Sequence, residues 1–270
     1  MLAGTGVAAW THDEVWWKAA LALVVSLLLQ VGVNYANDYS DGIRGTDDAR
    51  VGPLRLVGSG VAAPAAVKRA AFVAFGLAAA VGLVLAVSTA WWLVAVGALS
   101  ILAAWYYTGG SKPYGYLGLG EVMVFVFFGL VAVLGTLYVQ AEELTWPGLY
   151  AAVGVGVLAC AILVANNLRD IPTDTASGKR TLAVKLGDRG TRRLYATLLL
   201  LALASLVVLA EETSRWALLS LLSGPPLARA DVVVRSRKAA GRDLVPVLQL
   251  TGLGELLYAA GLFAGLLIAR

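Results

Sequence analysis

Two short stretches of this sequence set carboxylates, amides and cations at helical spacing. NYANDYSDGIRGTDDAR (residues 34–50) carries four aspartates, two asparagines and two arginines, and NNLRDIPTDTASGKRTLAVKLG (166–187) carries a second such group. In the second, Asn166, Asp170 and Asp174 fall at i, i+4 and i+8; in the first, Asn34, Asp38 and Asp41 fall at i, i+4 and i+7. Either spacing stacks the side chains on one helix face. Like charges one turn apart repel, so such a stripe calls for a cation. Carboxylate and amide oxygens without Cys or His point to Mg2+ or Ca2+, and Mg2+ normally binds through one or two carboxylates plus substrate phosphate oxygens. Basic residues that could hold those phosphates lie close in sequence. Arg44 and Arg55 follow the first cluster, Arg169, Lys179 and Arg180 belong to the second, and Lys112 sits in another polar loop. A metal-bridged pyrophosphate between the two clusters would satisfy the acidic and the basic groups together.

The clusters look like two copies of one device. The text leading into them is alike, VNYANDYSD against VANNLRDIPTD, and Asp38 and Asp170 stand 132 residues apart. The ordinary alternative is that these are solvated loop charges that end helices and fix topology. A matched pair of Asn/Asp clusters weighs against it. Pro172 complicates the second stripe, because it should kink or end the helix near Leu168. A kink could aim Asp174 at the same point as Asp170; an ending would take Asp174 off the helix.

The elements that must deliver these clusters are membrane helices. Of 270 residues 59% are hydrophobic and only 14% charged, with a mean hydropathy of +0.78, whereas soluble domains carry about a quarter charged residues. Apolar runs near the length needed to cross the hydrocarbon core recur at 16–37, 65–87, 90–107, 117–139, 147–168, 191–210, 214–227 and 246–269, with a shorter piece at 1–10. This predicts an all-α polytopic bundle of about nine helices. The runs of Leu, Ala, Val and Gly do not alternate, which excludes a β-barrel. Four crossings separate the clusters, so their helices run in the same direction and bring both to one side of the membrane.

Charge asymmetry says which side. Residues 38–69, 108–116, 169–193 and 225–243 hold 18 of the 21 Lys and Arg, while the opposite face has only Lys18, Arg215 and Arg270. The basic set is predicted to be cytoplasmic. The net charge of +4 thus reflects topology and a surface beside anionic lipid, not nucleic-acid binding. The single cysteine, Cys160, lies in an apolar run and reads as a small buried hydrophobe; the single histidine, His12, is near the start. Neither disulfide nor thiolate or imidazole metal chemistry is available. Residues 1–10 lack the basic n-region of a signal peptide.

At the two clusters the sequence resembles the UbiA superfamily of intramembrane aromatic prenyltransferases. The superfamily's first motif is present as NDYSD, with Asn37, Asp38 and Asp41. Where many members carry a further aspartate, this chain has Gly45 and then Asp47, which is similar to the 1,4-dihydroxy-2-naphthoate branch of that superfamily. VGPLR (51–55), KPYGYLGLGE (112–121), VFFG (126–129) and the whole second cluster also resemble that branch.

The resemblance implies one transmembrane prenyltransferase domain over residues 1–270, with nine helices around a central cavity capped on the cytoplasmic side and open laterally to lipid. It implies Mg2+ held by Asp38, Asp41, Asp170 and Asp174 on the pyrophosphate of a polyprenyl diphosphate. Asn34, Asn37, Arg44, Asp47, Arg55, Asn166, Asn167, Arg169, Lys179 and Arg180 would contact substrate. It further implies the plasma membrane as location, an aromatic acid as acceptor, loss of CO2 and a demethylmenaquinone as product; it leaves the oligomeric state open. The residue chemistry agrees. Departure of pyrophosphate builds charge on phosphate oxygens, which Mg2+ and positioned cations stabilise without covalent catalysis.

Other residues are read with an alternative beside them. Lys112 is a phosphate contact or a topological charge. Tyr114, with Tyr106, Tyr107 and Tyr116, shields a carbocation or forms an interfacial aromatic belt. Glu121 begins an apolar run, where an unpaired carboxylate is costly, which favours a partnered or substrate-facing role.

The rivals are a superfamily member using 4-hydroxybenzoate, homogentisate or haem, a secondary transporter, and a substrate-free scaffold. A transporter would set its carboxylates near the bilayer midplane, whereas these lie at helix ends. The piece 1–10 spans about 15 Å, half a membrane, and a half-length helix leaves backbone groups unsatisfied in lipid. The first helix is therefore expected to be truncated rather than naturally short, and the resemblance implies an Arg-containing apolar segment upstream of Met1.

Overall fold

The computed structural model describes residues 1–45, 54–236 and 238–270. Asp47 lies outside the described residues. Nine helices are seen among them: α1 (Leu2–Trp10), α2 (Trp16–Gly42), α3 (Pro64–Ser88), α4 (Leu93–Tyr106), α5 (Gly120–Ala141), α6 (Trp146–Ala176), α7 (Leu182–Glu212), α8 (Arg215–Arg235) and α9 (Gly241–Ile268). No strand occurs among the described residues. Seven of the helices, α2, α3 and α5 to α9, are long and apolar enough to cross a membrane. The chain is an all-helical integral membrane protein. In lipid only this architecture or a closed barrel satisfies every backbone group.

Helix α6 is the axis of the bundle. It packs against α5, α7 and α9, while α2 packs on α3 and α9 on α8 and α1. The main core runs along it, from Ala151 through Leu158, Ala161 and Val164 to Leu168, and meets Leu137, Leu206, Tyr258 and Leu262. Many contact residues are small because helices in lipid gain by close van der Waals approach more than by hydrophobic burial. A Cβ on Gly129 would meet Gly156 Cα at 2.7 Å and the Ala152 carbonyl at 2.9 Å, so α5 and α6 touch backbone to backbone. Within α5, residues Phe125–Leu134 form wide π turns. Helix α1 buries seven of its nine residues against α9 and its neighbours.

Both cluster-bearing helices extend past their apolar runs. Helix α2 continues from residue 37 to Gly42, burying Asp38, Ser40 and Asp41. Helix α6 runs on from residue 168 to Ala176. The ending considered for Pro172 does not occur: the helix passes through the proline, although that residue withholds a hydrogen bond at a cost of about 3 kcal/mol. The four-residue spacing of Asn166, Asp170 and Asp174 is thereby preserved. Thr145 caps α6, its Oγ1 accepting from Gly148 N at 3.2 Å, and Pro147 occupies the first turn. After α6, Thr181 caps α7 and Gly187 (φ 67°) interrupts it, so the apolar part of α7 begins beyond that bend.

Candidate active site: an acidic cavity beside an apolar one

The two clusters meet at one end of the bundle around a cavity of about 250 Å3. Helix α2 contributes Asn34, Asn37 and Asp41 to its wall, and α6 contributes Asn166, Asn167, Asp170, Thr173 and Asp174. Loops complete it with Arg55, Tyr107, Thr108, Tyr116, Lys179 and Thr181. The stripe on α6 is the expected one. On α2 the face toward the cavity is Asn34, Asn37 and Asp41, at i, i+3 and i+7, so Asn37 and not Asp38 takes the middle position.

Direct contacts bridge the clusters. Lys179 Nζ lies 3.4 Å from Asp41 Oδ1 and 4.5 Å from the centre of the Tyr116 ring. The Tyr116 hydroxyl donates to the same Asp41 oxygen. Asp170 is held by Arg169 through a two-pronged pair, Nε to Oδ1 and Nη2 to Oδ2, each at 2.7 Å. Arg169 also donates to Asn166 Oδ1 at 2.8 Å. The Asp174 carboxylate accepts from Thr181 Oγ1 at 3.4 Å. Asn37 Oδ1 accepts from Thr108 at 2.8 Å.

The remaining candidates fall outside the cavity wall. Asp38 is buried and accepts from the backbone N–H groups of Leu56 and Val57, at 2.8 and 2.9 Å. Arg44 is exposed, lies 5.5 Å over the Tyr116 ring and donates to the carbonyls of Thr108 and Gly110. Lys112 and Arg180 are exposed. Glu121 is buried, and its Oε1 accepts from Asn167 Nδ2 at 3.0 Å. Its Oε2 has no hydrogen-bond partner among the described residues. Glu121 is thus partnered, and its partner lines the cavity. Sequence reasoning did not single out Thr108, Thr173 or Thr181, and weighed Tyr116 only as one aromatic among several.

A second cavity of about 370 Å3 shares Asn34, Asn37, Tyr107 and Leu163 with the first, so the two adjoin. Its wall is mostly apolar, including Leu29, Leu85, Val96, Phe127, Phe128 and Val131. Tyr114 lines it and donates to the Ala103 carbonyl at 2.7 Å. Tyr107 stands at the junction.

The acidic wall fits a hard divalent cation. Three carboxylates and four asparagine amides face the space, against two cationic side chains, Arg55 and Lys179. No sulfur or imidazole is present in that wall. Among the described residues no group of three or more His, Cys, Asp or Glu is gathered tightly enough to hold an ion alone. Phosphate oxygens would complete such a shell, as is usual for Mg2+. An anion entering a wall with more carboxylates than cations requires that added positive charge.

Fold and site together define a helical membrane protein whose acidic, cation-ready pocket adjoins an apolar chamber. The chain belongs to the UbiA prenyltransferase family, whose model matches residues 1–267. It is 58% identical over 259 residues to the 1,4-dihydroxy-2-naphthoate octaprenyltransferase of Mycobacterium tuberculosis, covering 96% of this chain and 88% of that one. The enzyme of the same name from Mycobacterium leprae is 56% identical, with 100% and 91% covered, and that of Escherichia coli 39% identical, with 97% and 89% covered. Among solved structures, a UbiA homologue from Archaeoglobus fulgidus bound to GPP and Mg2+ superposes with a TM-score of 0.68 at 14% identity, covering 98% of this chain and 94% of that one. That likeness concerns the fold.

Proposed function

We propose that this protein transfers a polyprenyl group from a polyprenyl diphosphate to 1,4-dihydroxy-2-naphthoate, with loss of pyrophosphate and CO2, in a Mg2+-dependent reaction. The product is a demethylmenaquinone in its quinol form. The observation that carries the reading is that an acidic and an apolar cavity adjoin across Asn34, Asn37, Tyr107 and Leu163. A substrate with a diphosphate at one end and an isoprenoid chain at the other suits that pair. The names of the relatives supply the acceptor.

Asp41, Asp170 and Asp174 would hold Mg2+, which when bound neutralises charge building on the diphosphate oxygens. Lys179, which sits beside Asp41, and Arg55 would bind the same oxygens and stabilise the leaving pyrophosphate electrostatically. The allylic C–O bond breaks with its electron pair going to pyrophosphate, and ring electrons of the acceptor form the new C–C bond. Loss of the carboxylate as CO2 returns its bonding pair to the ring, so no oxidant, reductant or strong base is needed. Tyr107, Asn34 and Asn37 at the junction lie where the reacting carbons would meet, and the apolar wall excludes water from the allylic cation. The positive-inside pattern supports a plasma-membrane protein with this end toward the cytoplasm.

The test is incubation of the solubilised protein with Mg2+, a polyprenyl diphosphate and a panel of aromatic acids, with product identification by mass spectrometry. The decarboxylated naphthol product should dominate. Equal use of 4-hydroxybenzoate or homogentisate would move the chain to another branch, and no product with any acid would refute prenyl transfer.

A further inference from the structure

Asp38 sits in the first motif yet does not face the cavity. Its side chain is 6% exposed by residue, and each oxygen is taken by one backbone donor, Oδ2 by Leu56 N–H at 2.8 Å and Oδ1 by Val57 N–H at 2.9 Å. Those donors open a compact turn. Ser59 N bonds to the Arg55 carbonyl at 3.0 Å, Gly60 N to Val57 at 3.0 Å and Ala62 N to Leu56 at 2.9 Å. A turn's first N–H groups have no partner within it, and an anionic side chain across from them makes short charge-assisted bonds. One helical turn beyond Asp38, a Cβ on Gly42 would meet Val57 Cγ1 at 2.5 Å and Val57 Cβ at 2.6 Å. The segment is therefore held on α2 at two points: by hydrogen bonds at Asp38 and by contact at Gly42. The residue just before the clamped pair is Arg55, which lines the acidic cavity.

We infer that Asp38 is a positioning residue, whose carboxylate clamps the chain after Arg55 onto α2 and thereby sets that arginine in the wall of the diphosphate pocket. The inference rests on the proposed function for the identity of the anion, but not for the clamp. It separates the aspartates of the first motif: Asp41 faces the ligand, and Asp38 acts through Arg55. Asparagine cannot replace it, because an amide offers one acceptor oxygen and turns a donor toward the other N–H.

The experiment has two arms. In the ligand-free protein, amide hydrogen exchange is followed across residues 54–60; Asp38→Asn should speed it by about tenfold or more, in line with loss of charged hydrogen bonds, while Asp41→Asn should not. In the assay, Asp38→Asn should raise KM for polyprenyl diphosphate by about tenfold, with the Mg2+ concentration for half activity unchanged. Combined with Arg55→Ala it should add less than about twofold, the non-additivity of residues acting as a unit. Gly42→Ala, which pushes on Val57 without touching a carboxylate, should reproduce the KM effect and decides the matter if Asp38→Asn does not fold. Unchanged exchange, or multiplying costs with Arg55→Ala, or a Mg2+ requirement shifted as in Asp41→Asn, would overturn the clamp. A wild type without prenyl transfer would refute the functional reading instead, and the exchange arm would still judge Asp38.

Discussion

Lys179 Nζ stands 3.4 Å from Asp41 Oδ1, joining residues 138 apart in sequence and tying the loop after α6 to the end of α2. The pair is largely buried, with side chains 13% and 9% exposed. Tyr116 supports both members, stacking under the ammonium and donating to the carboxylate. The contact thus joins the two motifs across the cavity wall. Replacing Lys179 by Met keeps the aliphatic stem but removes the charge. Loss of kcat/KM by about 100-fold is expected, comparable to deletion of one transition-state donor, and Tm should fall because the buried Asp41 carboxylate loses its cation. Steady-state kinetics with polyprenyl diphosphate checks it.

Asp170 differs from Asp174 in what it leaves behind. Arg169 is 1% exposed and spends two bonds on Asp170, so Asp170→Asn weakens the partner of a buried cation. Breaking a buried pair costs about 3–5 kcal/mol when one charge is stranded, and the amide retains part of that. Asp170→Asn should lower both Tm and activity. Asp174→Asn, partnered by Thr181, should lower activity and raise the Mg2+ requirement while Tm stays near wild type. Paired melting and Mg2+ titrations separate the two.

Tail length should be set by the apolar cavity. Gly135 lines it, and a Cβ there would meet nothing within 4 Å. The first atom of a side chain in Gly135→Phe therefore meets no obstacle, and the ring is expected to occupy tail space. The ratio of long-chain to short-chain diphosphate use should fall, with short-chain kcat preserved. Competition between two chain lengths, read by mass spectrometry, measures it.

Gly129 gives the contrasting outcome. A side chain there strikes the backbone of Gly156 and Ala152, which cannot swing aside. Gly129→Val should destabilise the bundle by about 1–3 kcal/mol, the usual cost of overpacking, and reduce folded yield. Size-exclusion profiles and melting curves in detergent report it.

The nine helices were readable because long apolar runs are close to unambiguous in a membrane chain. Their ends were not. Hydropathy ends α2 at residue 37 and α6 at 168, because a polar residue facing an internal cavity scores like one facing water. The same blindness hid the phase of α2: spacing permits Asp38 on the stripe, but the clamp on Leu56 and Val57 turns Asn37 inward instead. Pro172 was legible as a disturbance, yet its neighbours keep the helix going. The cost of burying Glu121 was readable from its surroundings, whereas Asn167 as its partner depended on the α5–α6 crossing. Tyr116 and Thr108 joined the site only through loops folding back over it, for which the local sequence carries little signal.

The central claim is that the acidic cavity activates a diphosphate whose isoprenoid ends in the apolar one, for decarboxylative transfer to a naphthoate. The most direct measurement uses 1,4-dihydroxy-2-naphthoate labelled with 13C in its carboxyl group, counting labelled CO2 and pyrophosphate in one reaction. The two should appear in equal amounts, both should cease when Mg2+ is chelated, and both should fall together in Asp41→Asn. Pyrophosphate without labelled CO2, a product that keeps the label, or release that persists after chelation would contradict the account.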